Sequence, residues 1–178
     1  NKRHGEGTFN WADGSTYTGD WENDVKTGQG TKTWGSDTEF AGNSYVGDWR
    51  DNKPNGQGVY RYANGDAYTG AVLQDKQTGK GNYTYANGDT YTGDFKDDLY
   101  DGEGTFDWSD TRQYNGAWKN NKRHGQGRYV NARKDLYVGS WTDGQKSGQG
   151  KLDLFASGDT YIGQFKADQQ NGQGSYTF

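Results

Sequence analysis

Residues 62–70 read YANGDAYTG, and residues 85–93 read YANGDTYTG, so almost the same nine residues return after an interval of 23. A catalytic site is needed once in a chain, whereas a segment that returns on a fixed period is usually a structural unit. The period of this repetition is therefore the property that decides the fold.

The wider pattern is Tyr-x-Gly-x-aromatic followed by Gly-x-Gly. With the tyrosine as position 0 of a repeat, glycines stand at positions 2, 11 and 13 and a ring stands at position 4. The complete copies are Tyr17-Gly19-Trp21, Tyr45-Gly47-Trp49, Tyr91-Gly93-Phe95, Tyr114-Gly116-Trp118, Tyr137-Gly139-Trp141 and Tyr161-Gly163-Phe165. We interpret residues 1–178 as a single array with repeats 1–16 (partial), 17–44, 45–67, 68–90, 91–113, 114–136, 137–160 and 161–178 (partial).

Each repeat is predicted to form a β-hairpin. Rings and glycines alternate with polar residues, which is the period of a strand, and the alternation resumes after Gly-x-Gly, as in GTFDW at 104–108. A polar loop such as KNNKRH, residues 119–124, is expected between the two strands. Asn64-Gly65 and similar pairs are expected to connect successive repeats, because they accept the positive φ of tight turns.

The spacing also suggests a strand register. Position 0 is predicted to face position 17, so that the glycine at position 2 faces a ring at position 15 and the ring at position 4 faces the glycine at position 13. Rings lying over glycines offset the entropic cost of glycine in a strand. All of these residues share one face, and Thr18, Asp20, Thr92 and Asp94 are predicted to lie on a wet opposite face.

The expected fold is all-β: an elongated, single-layer antiparallel sheet of stacked β-hairpin repeats, forming an open twisted or spiral solenoid. One aromatic face is all that each repeat offers, so neighbouring repeats have to bury it together. Aromatic residues make up 16% of the chain, the net charge is only −4, and disordered chains are poor in aromatic residues. The composition therefore indicates an ordered protein.

These residues resemble the MORN (membrane occupation and recognition nexus) repeat, which joins Tyr-x-Gly-x-Trp to a polar segment and Gly-x-Gly. The resemblance covers essentially the whole chain as about seven to eight repeats. It implies a non-catalytic scaffold that binds protein partners or self-associates in cytoskeletal, ciliary or membrane-junction assemblies. It also implies an intracellular location, either cytoplasmic or associated with the cytoskeleton or membranes. The departures are Val72 at position 4, Asn131, Leu152 and Leu154 late in their repeats, and an insertion near residues 35–44.

No catalytic or metal-binding pattern is present in the sequence. No Gly-x-Gly pair extends to the Gly-x-Gly-x-x-Gly of a dinucleotide loop. The acidic stretch that starts at Asp97 lacks oxygen ligands where a calcium loop needs them, at Leu99 and Trp108. His4 and His124 are predicted to be loop residues far from each other, and the chain has no cysteine. We expect no enzyme activity, no cofactor and no metal.

Two features are candidates for partner binding. Residual exposed rings on the aromatic face are expected to form a groove for a helix or strand of a partner, and they are Tyr60, Tyr62, Tyr83 and Tyr85. The repeat 114–136 is basic beside an acidic one, and its candidates are Lys122, Arg123, Arg128, Arg133 and Lys134. This basic cluster suits an acidic protein surface or a phosphoinositide head group.

Three alternatives to a protein scaffold follow from the same residues. Membrane or phosphoinositide binding through the basic repeat needs a cluster of cations, and here acidic neighbours oppose the only one, so we expect weak contact at most. Glycan binding requires exposed rings with polar groups between them. Nucleic-acid binding is disfavoured by the pI of about 5.1. Self-association, end to end or lateral, stays open beside binding of another protein.

Overall fold

The computed structural model describes residues 2–178, which form strands and turns with no helix. The strands are β1 Gly5–Asn10, β2 Thr16–Glu22, β3 Val25–Thr33, β4 Ser44–Arg50, β5 Lys53–Arg61, β6 Ala67–Leu73, β7 Lys76–Thr84, β8 Thr90–Lys96, β9 Leu99–Asp107, β10 Gln113–Lys119, β11 Lys122–Val130, β12 Leu136–Thr142, β13 Gln145–Asp153, β14 Thr160–Lys166 and β15 Gln169–Thr177. They lie in chain order in one antiparallel sheet whose first and last strands do not pair. The prediction of an open sheet of hairpin repeats is confirmed.

The chain divides into two compact units. Unit 1 contains the described residues up to Ala86 together with Lys96–Asp98, and unit 2 contains Asn87–Phe95 and Leu99–Phe178. In unit 1, each strand from β1 to β7 pairs with the next one along the chain. In unit 2, the same holds from β9 to β15. Each unit is therefore a meander of hairpins.

Each hairpin turns through two residues, and the polar segment predicted as a loop is mostly strand. Within KNNKRH only Asn120 and Asn121 form the turn, with φ of 48° and 64°. Two successive positive φ values are typical of the type I′ turn, whose twist matches that of the flanking strands. His124 consequently lies inside β11, and its prediction as a loop residue is wrong.

The predicted register is wrong by two residues. Tyr17 faces Lys32 and Gly19 faces Gly30, so position 0 faces position 15 and the glycines of positions 2 and 13 face each other. Gly30 also faces Gly47 of the following repeat. The short turn fixes the pairing near it, and a bulge that leaves positions 11 and 12 unpaired shifts the rest of the hairpin.

An aspartate on the opposite face holds this bulge. Asp20 accepts a hydrogen bond at its Oδ2 from the backbone N–H of Gln29, 2.8 Å away, which satisfies a donor that the bulge removes from the ladder. Asp94 does the same in its repeat, and both aspartates are half-buried. Thr18 and Thr92 are exposed, as predicted. The threonines of this opposite face are therefore exposed to solvent, while its aspartates stabilise the bulge.

The core lies on the other face, which we call the aromatic face. The tyrosines at position 0 are almost completely buried: Tyr17, Tyr45, Tyr68, Tyr91, Tyr114 and Tyr137. The ring of Tyr17 covers the glycines of its own hairpin, because a methyl group added to Gly30 would lie 2.5 Å from its Cζ. Ring-over-glycine packing is thus present, although the covering ring is the tyrosine rather than the residue directly opposite.

The rings at position 4 link successive hairpins. Trp49 packs edge-on against Tyr17 with 5.1 Å between ring centroids, and its Nε1 donates a hydrogen bond to the carbonyl oxygen of Gly30 at 3.1 Å. A buried indole usually finds such a partner, so the interaction adds direction to the apolar contact. Each repeat therefore completes the core of the one before it.

Candidate protein-binding surface

A row of half-buried rings borders the aromatic face in unit 1. Trp11, Trp34, Tyr62 and Tyr85 each stand at position 17, the first residue after an odd-numbered strand. These residues follow the ends of strands rather than sit within them, and each is half-buried. We call these four side chains the rim row.

The four predicted tyrosines lie together in this region. The centroids of Tyr60 and Tyr62 are 5.9 Å apart, those of Tyr62 and Tyr83 are 6.0 Å apart, and those of Tyr83 and Tyr85 are 4.7 Å apart. Tyr60 is only 7% exposed, so it belongs to the core and its prediction as an exposed ring is wrong. The other three are half-buried and continue the aromatic face to its border.

Hydrogen bonds hold these rings in place. The hydroxyl of Tyr83 donates to Oδ2 of Asp66 at 2.9 Å, and Nε2 of Gln77 donates to the hydroxyl of Tyr62 at 2.9 Å. Burial is the main cause that raises the pKa of both tyrosines above the ordinary value of a phenol. The two phenols therefore stay neutral across the physiological range, and an uncharged, fixed ring suits an apolar contact.

A cavity of about 240 Å³ opens beside the rim row in unit 1. The insertion after Trp34 brings Phe40 against that ring, at 6.3 Å between centroids, and leaves Phe40 51% exposed. The cavity is lined by Lys32, Trp34, Phe40, Asn43, Trp49, Asn52, Lys53, Pro54, Tyr60, Tyr62, Asp75, Gln77 and Asp98. Sequence reasoning missed this cavity, although the insertion and the only proline of the chain both point to it.

Cationic side chains also lie among the rings of unit 1. The amino group of Lys26 is 4.8 Å from the ring centroid of Trp49, 5.4 Å from that of Trp11 and 5.5 Å from that of Tyr17. Burial, and then the nearby charges of Lys32 and Arg3, lower the pKa of Lys26 to about 8 from its ordinary 10.5. Ring faces attract cations, which compensates part of this desolvation.

The lowered pKa of Lys26 predicts a rise in stability at alkaline pH. Between pH 8 and about 10 the unfolded chain binds the lysine proton and the folded chain does not, so the free energy of unfolding increases with pH. Above about pH 10 it falls again, because burial raises the pKa of Tyr17 to about 12 and the unfolded phenols ionise first. Urea denaturation at several pH values measures both limbs. Lys26→Met should reduce the rising limb, to which Lys32 and Lys146 also contribute because burial lowers their pKa, and should leave the falling limb. An unchanged rise would contradict this assignment.

The family model of the MORN repeat matches the chain at residues 1–16, 17–39, 45–67, 68–90, 91–111, 114–133, 137–160 and 161–178. The chain belongs to the MORN repeat family. MORN repeats are typically non-enzymatic interaction modules.

No curated protein matches this MORN array. Among solved structures, it is similar to the SAS-4 (dCPAP) TCP domain of Drosophila melanogaster, solved in complex with a proline-rich motif of Ana2 (dSTIL). The identity is 14%, the match covers 97% of this chain and 89% of that one, and the TM-score is 0.43.

The predicted basic cluster of this MORN array does not form one surface. Arg123 lies on the aromatic face, with its guanidinium 4.2 Å from the ring centroid of Trp141. Arg128 pairs across the sheet with Val138, whose exposed side chain is on the opposite face. Lys122 is exposed in β11, while Arg133 and Lys134 are exposed in the connection to β12. These cations therefore lie on both faces of the sheet, so they cannot all contact one anionic surface at the same time.

Two further properties concern ions and membranes. Within residues 2–178, no three His, Asp or Glu side chains are grouped so that they could hold a metal ion. The same residues include no helix that is long and apolar enough to cross a membrane.

Proposed function

We propose that this MORN array is a non-catalytic scaffold that holds a protein partner on the aromatic face of unit 1. The observation that supports this is the rim row, whose half-buried rings continue into the 51% exposed Phe40. Tyrosine and tryptophan dominate binding energy at protein interfaces, because they offer a large apolar area at low conformational cost. We further propose an intracellular role in a cytoskeletal, ciliary or membrane-junction assembly.

The spacing of the rings suits a regular segment of the partner. The ring centroids of Tyr62 and Tyr83, which are both half-buried, are 6.0 Å apart. Side chains three or four residues apart on a helix are separated by about 5–6 Å, and alternate side chains of a strand by roughly 6.6 Å. A helix or an extended strand therefore presents apolar groups at an interval that these rings match.

Site-specific photo-cross-linking in the cells that produce the protein tests this proposal. With p-benzoylphenylalanine in place of Tyr85, we expect cross-links to a discrete protein partner, because Tyr85 belongs to the rim row. The matched control carries the same group in place of Val46, which is 47% exposed on the opposite face, and should give no such product.

Other outcomes of this experiment identify the alternatives. Equal products from both positions, or none from either, would argue against a partner on the aromatic face. Flotation of the protein with phosphoinositide vesicles, in the absence of a cross-linked partner, would favour phosphoinositide binding as the function. A cross-linked product of twice the chain mass identifies a second copy of the chain as the partner, and light scattering across a range of concentrations measures that self-association.

A further inference from the structure

Position 9 of the repeat carries five different residue types along the aromatic face of the array. In six hairpins this residue pairs with position 4, as Lys26 does with Trp21. Position 9 is occupied by Arg3, Lys26, Pro54, Gln77, Tyr100, Arg123, Lys146 and Gln170. Several of these residues are cations that contact rings, and one is a proline, which has neither a charge nor a backbone N–H. A comparison of Arg3 with Pro54, both in unit 1, shows which contacts are missing at the proline.

Arg3 fills a cradle that the next repeat helps to build. Its guanidinium carbon is 4.4 Å from the ring centroid of Phe9 and 4.0 Å from that of Trp21. Its Nε donates to Oδ1 of Asp24 at 2.9 Å, and Asp24 is the second residue of the two-residue turn that follows. Two rings and one turn carboxylate thus hold one guanidinium, in the arrangement that stacked and ion-paired arginines favour.

In most repeats the side chain of the second turn residue accepts a hydrogen bond from the backbone N–H of position 9. Oδ1 of Asn52 accepts a hydrogen bond from the backbone N–H of Lys26, and Oδ1 of Asp98 accepts one from that of Gln77, each at 2.8 Å. These bonds run from a turn to position 9 of the preceding repeat. They form a ladder of contacts that binds successive hairpins together.

Pro54 breaks this ladder at one place. Proline has no N–H, so Asp75 in the facing turn cannot accept the usual backbone bond. The backbone half of the contact remains, since the N–H of Asp75 donates to the carbonyl oxygen of Pro54 at 2.9 Å. The carboxylate instead accepts a hydrogen bond at Oδ1 from the hydroxyl of Tyr60, and no donor in residues 2–178 bonds to its Oδ2. Asp75 therefore presents an acceptor at the cavity that Pro54 also lines.

The cavity beside Pro54 has the components of the Arg3 cradle without the arginine, and the carboxylate of Asp75 attracts the amino groups of Lys32 and Lys26. Tyr60 stands where Phe9 stands, and Asp75 stands where Asp24 stands. Val72 stands at the position of Trp21 but does not line the cavity, whereas Trp34 and Phe40 add rings from the preceding repeat. A volume of about 240 Å³ is below that of most drug-sized sites and is suited to a single long side chain.

We propose that this cavity, the Pro54 cradle, binds the guanidinium of an arginine from the protein partner. The Asp75 carboxylate pairs with the charge, and the surrounding rings receive the planar group and the apolar stem. Arginine fits better than lysine, because its planar fork both stacks on rings and donates to a carboxylate. The inference rests on the proposed scaffold function and adds the chemistry of one partner residue.

Two lysines oppose a further cation in this cavity. The amino group of Lys32 is 4.6 Å from the ring centroid of Trp34, and Lys53 also lines the cavity. Asp98 is the second carboxylate of the cavity, and its Oδ1 is already bonded to the backbone of Gln77. The repulsion from Lys32 predicts that Lys32→Met strengthens arginine binding, whereas a site for an anion would be weakened by the same change.

Titration with acetyl-Gly-Arg-Gly-amide, followed by NMR of the tyrosine and tryptophan ring protons, tests the proposal. We expect saturable binding in the millimolar range and about tenfold weaker binding of the same peptide with citrulline, which keeps the shape and removes the charge. Asp75→Asn should weaken the arginine peptide by about tenfold. The matched control Asp143→Asn changes an exposed turn carboxylate of unit 2 and should have no effect.

Pro54→Arg should fill the cradle from within, as Arg3 fills its own, and abolish binding of the peptide. The thermal transition of this variant shows whether it is folded, and Asp75→Asn tests the site independently. Absence of saturable binding, equal binding of the citrulline peptide, or unchanged binding to Asp75→Asn would each overturn the proposal. Because the cross-link at position 85 does not depend on this cavity, those results would refute the cradle and leave the scaffold function standing.

Discussion

Replacing Gly127 by alanine is expected to lower the free energy of unfolding by about 3 kcal/mol, although the change adds a single methyl group. That group would lie 2.5 Å from both Cζ and Cε2 of Tyr114, far inside van der Waals contact. Tyr114 is completely buried, so its ring has no open space to move into. The φ of Gly127 is outside the left-handed region, and the cost therefore measures packing rather than backbone strain.

Gly7 provides the matched control, because it occupies the same repeat position as Gly127 without a covering tyrosine. The nearest atom to a methyl group at Gly7 is Cδ1 of Trp21, at 3.8 Å, which is an ordinary contact. Gly7→Ala should therefore be neutral, or stabilising by up to about 1 kcal/mol because alanine restricts the unfolded chain. Urea denaturation followed by tryptophan fluorescence measures both variants. Similar losses at Gly7 and Gly127 would show that the strand itself requires glycine, and the packing explanation would fail.

The sequence was sufficient for the period, the hairpins and the shared face of rings and glycines, because these depend on spacing alone. It was insufficient for the register. Spacing does not reveal that Asn120 and Asn121 turn the chain by themselves, or that a bulge held by residues such as Asp20 then shifts the remaining pairs. Polar segments look alike whether they are loops or strand ends, and this ambiguity produced the error of two residues.

The candidate site was predicted in part for a similar reason. Tyr62, Tyr83 and Tyr85 follow the repeat, and the structure places them side by side. The cavity depends instead on exceptions, since the role of Asp75 is set by a proline in the preceding repeat. Arg123 and Arg128 are close in sequence but lie on opposite faces, because an odd separation along a strand reverses the side. Contacts between repeats are therefore the part of the site that the sequence alone does not predict.

Replacing Tyr114 by alanine is expected to cost about 3–5 kcal/mol, the range of a large aromatic side chain removed from a core. The ring covers the glycines of its hairpin, and its hydroxyl donates to the carbonyl oxygen of Ala117 at 2.9 Å. Tyr114→Phe separates these contributions. It loses only the hydrogen bond and should cost about 1 kcal/mol. Chemical denaturation of the three proteins gives the comparison.

The decisive measurement combines this change with the one at Gly127. If the tyrosine ring is what excludes a side chain from position 13, Gly127→Ala should cost little once Tyr114 is alanine, since the added methyl group enters the space that the ring has left. The double-mutant cycle is then expected to show a favourable coupling of about 2 kcal/mol or more between the two alanines. In the Tyr114→Phe background, Gly127→Ala should remain costly, because the ring is still present. Additive losses in the alanine pair would mean that tyrosine and glycine act independently, and the packing principle on which every repeat of this array depends would be wrong.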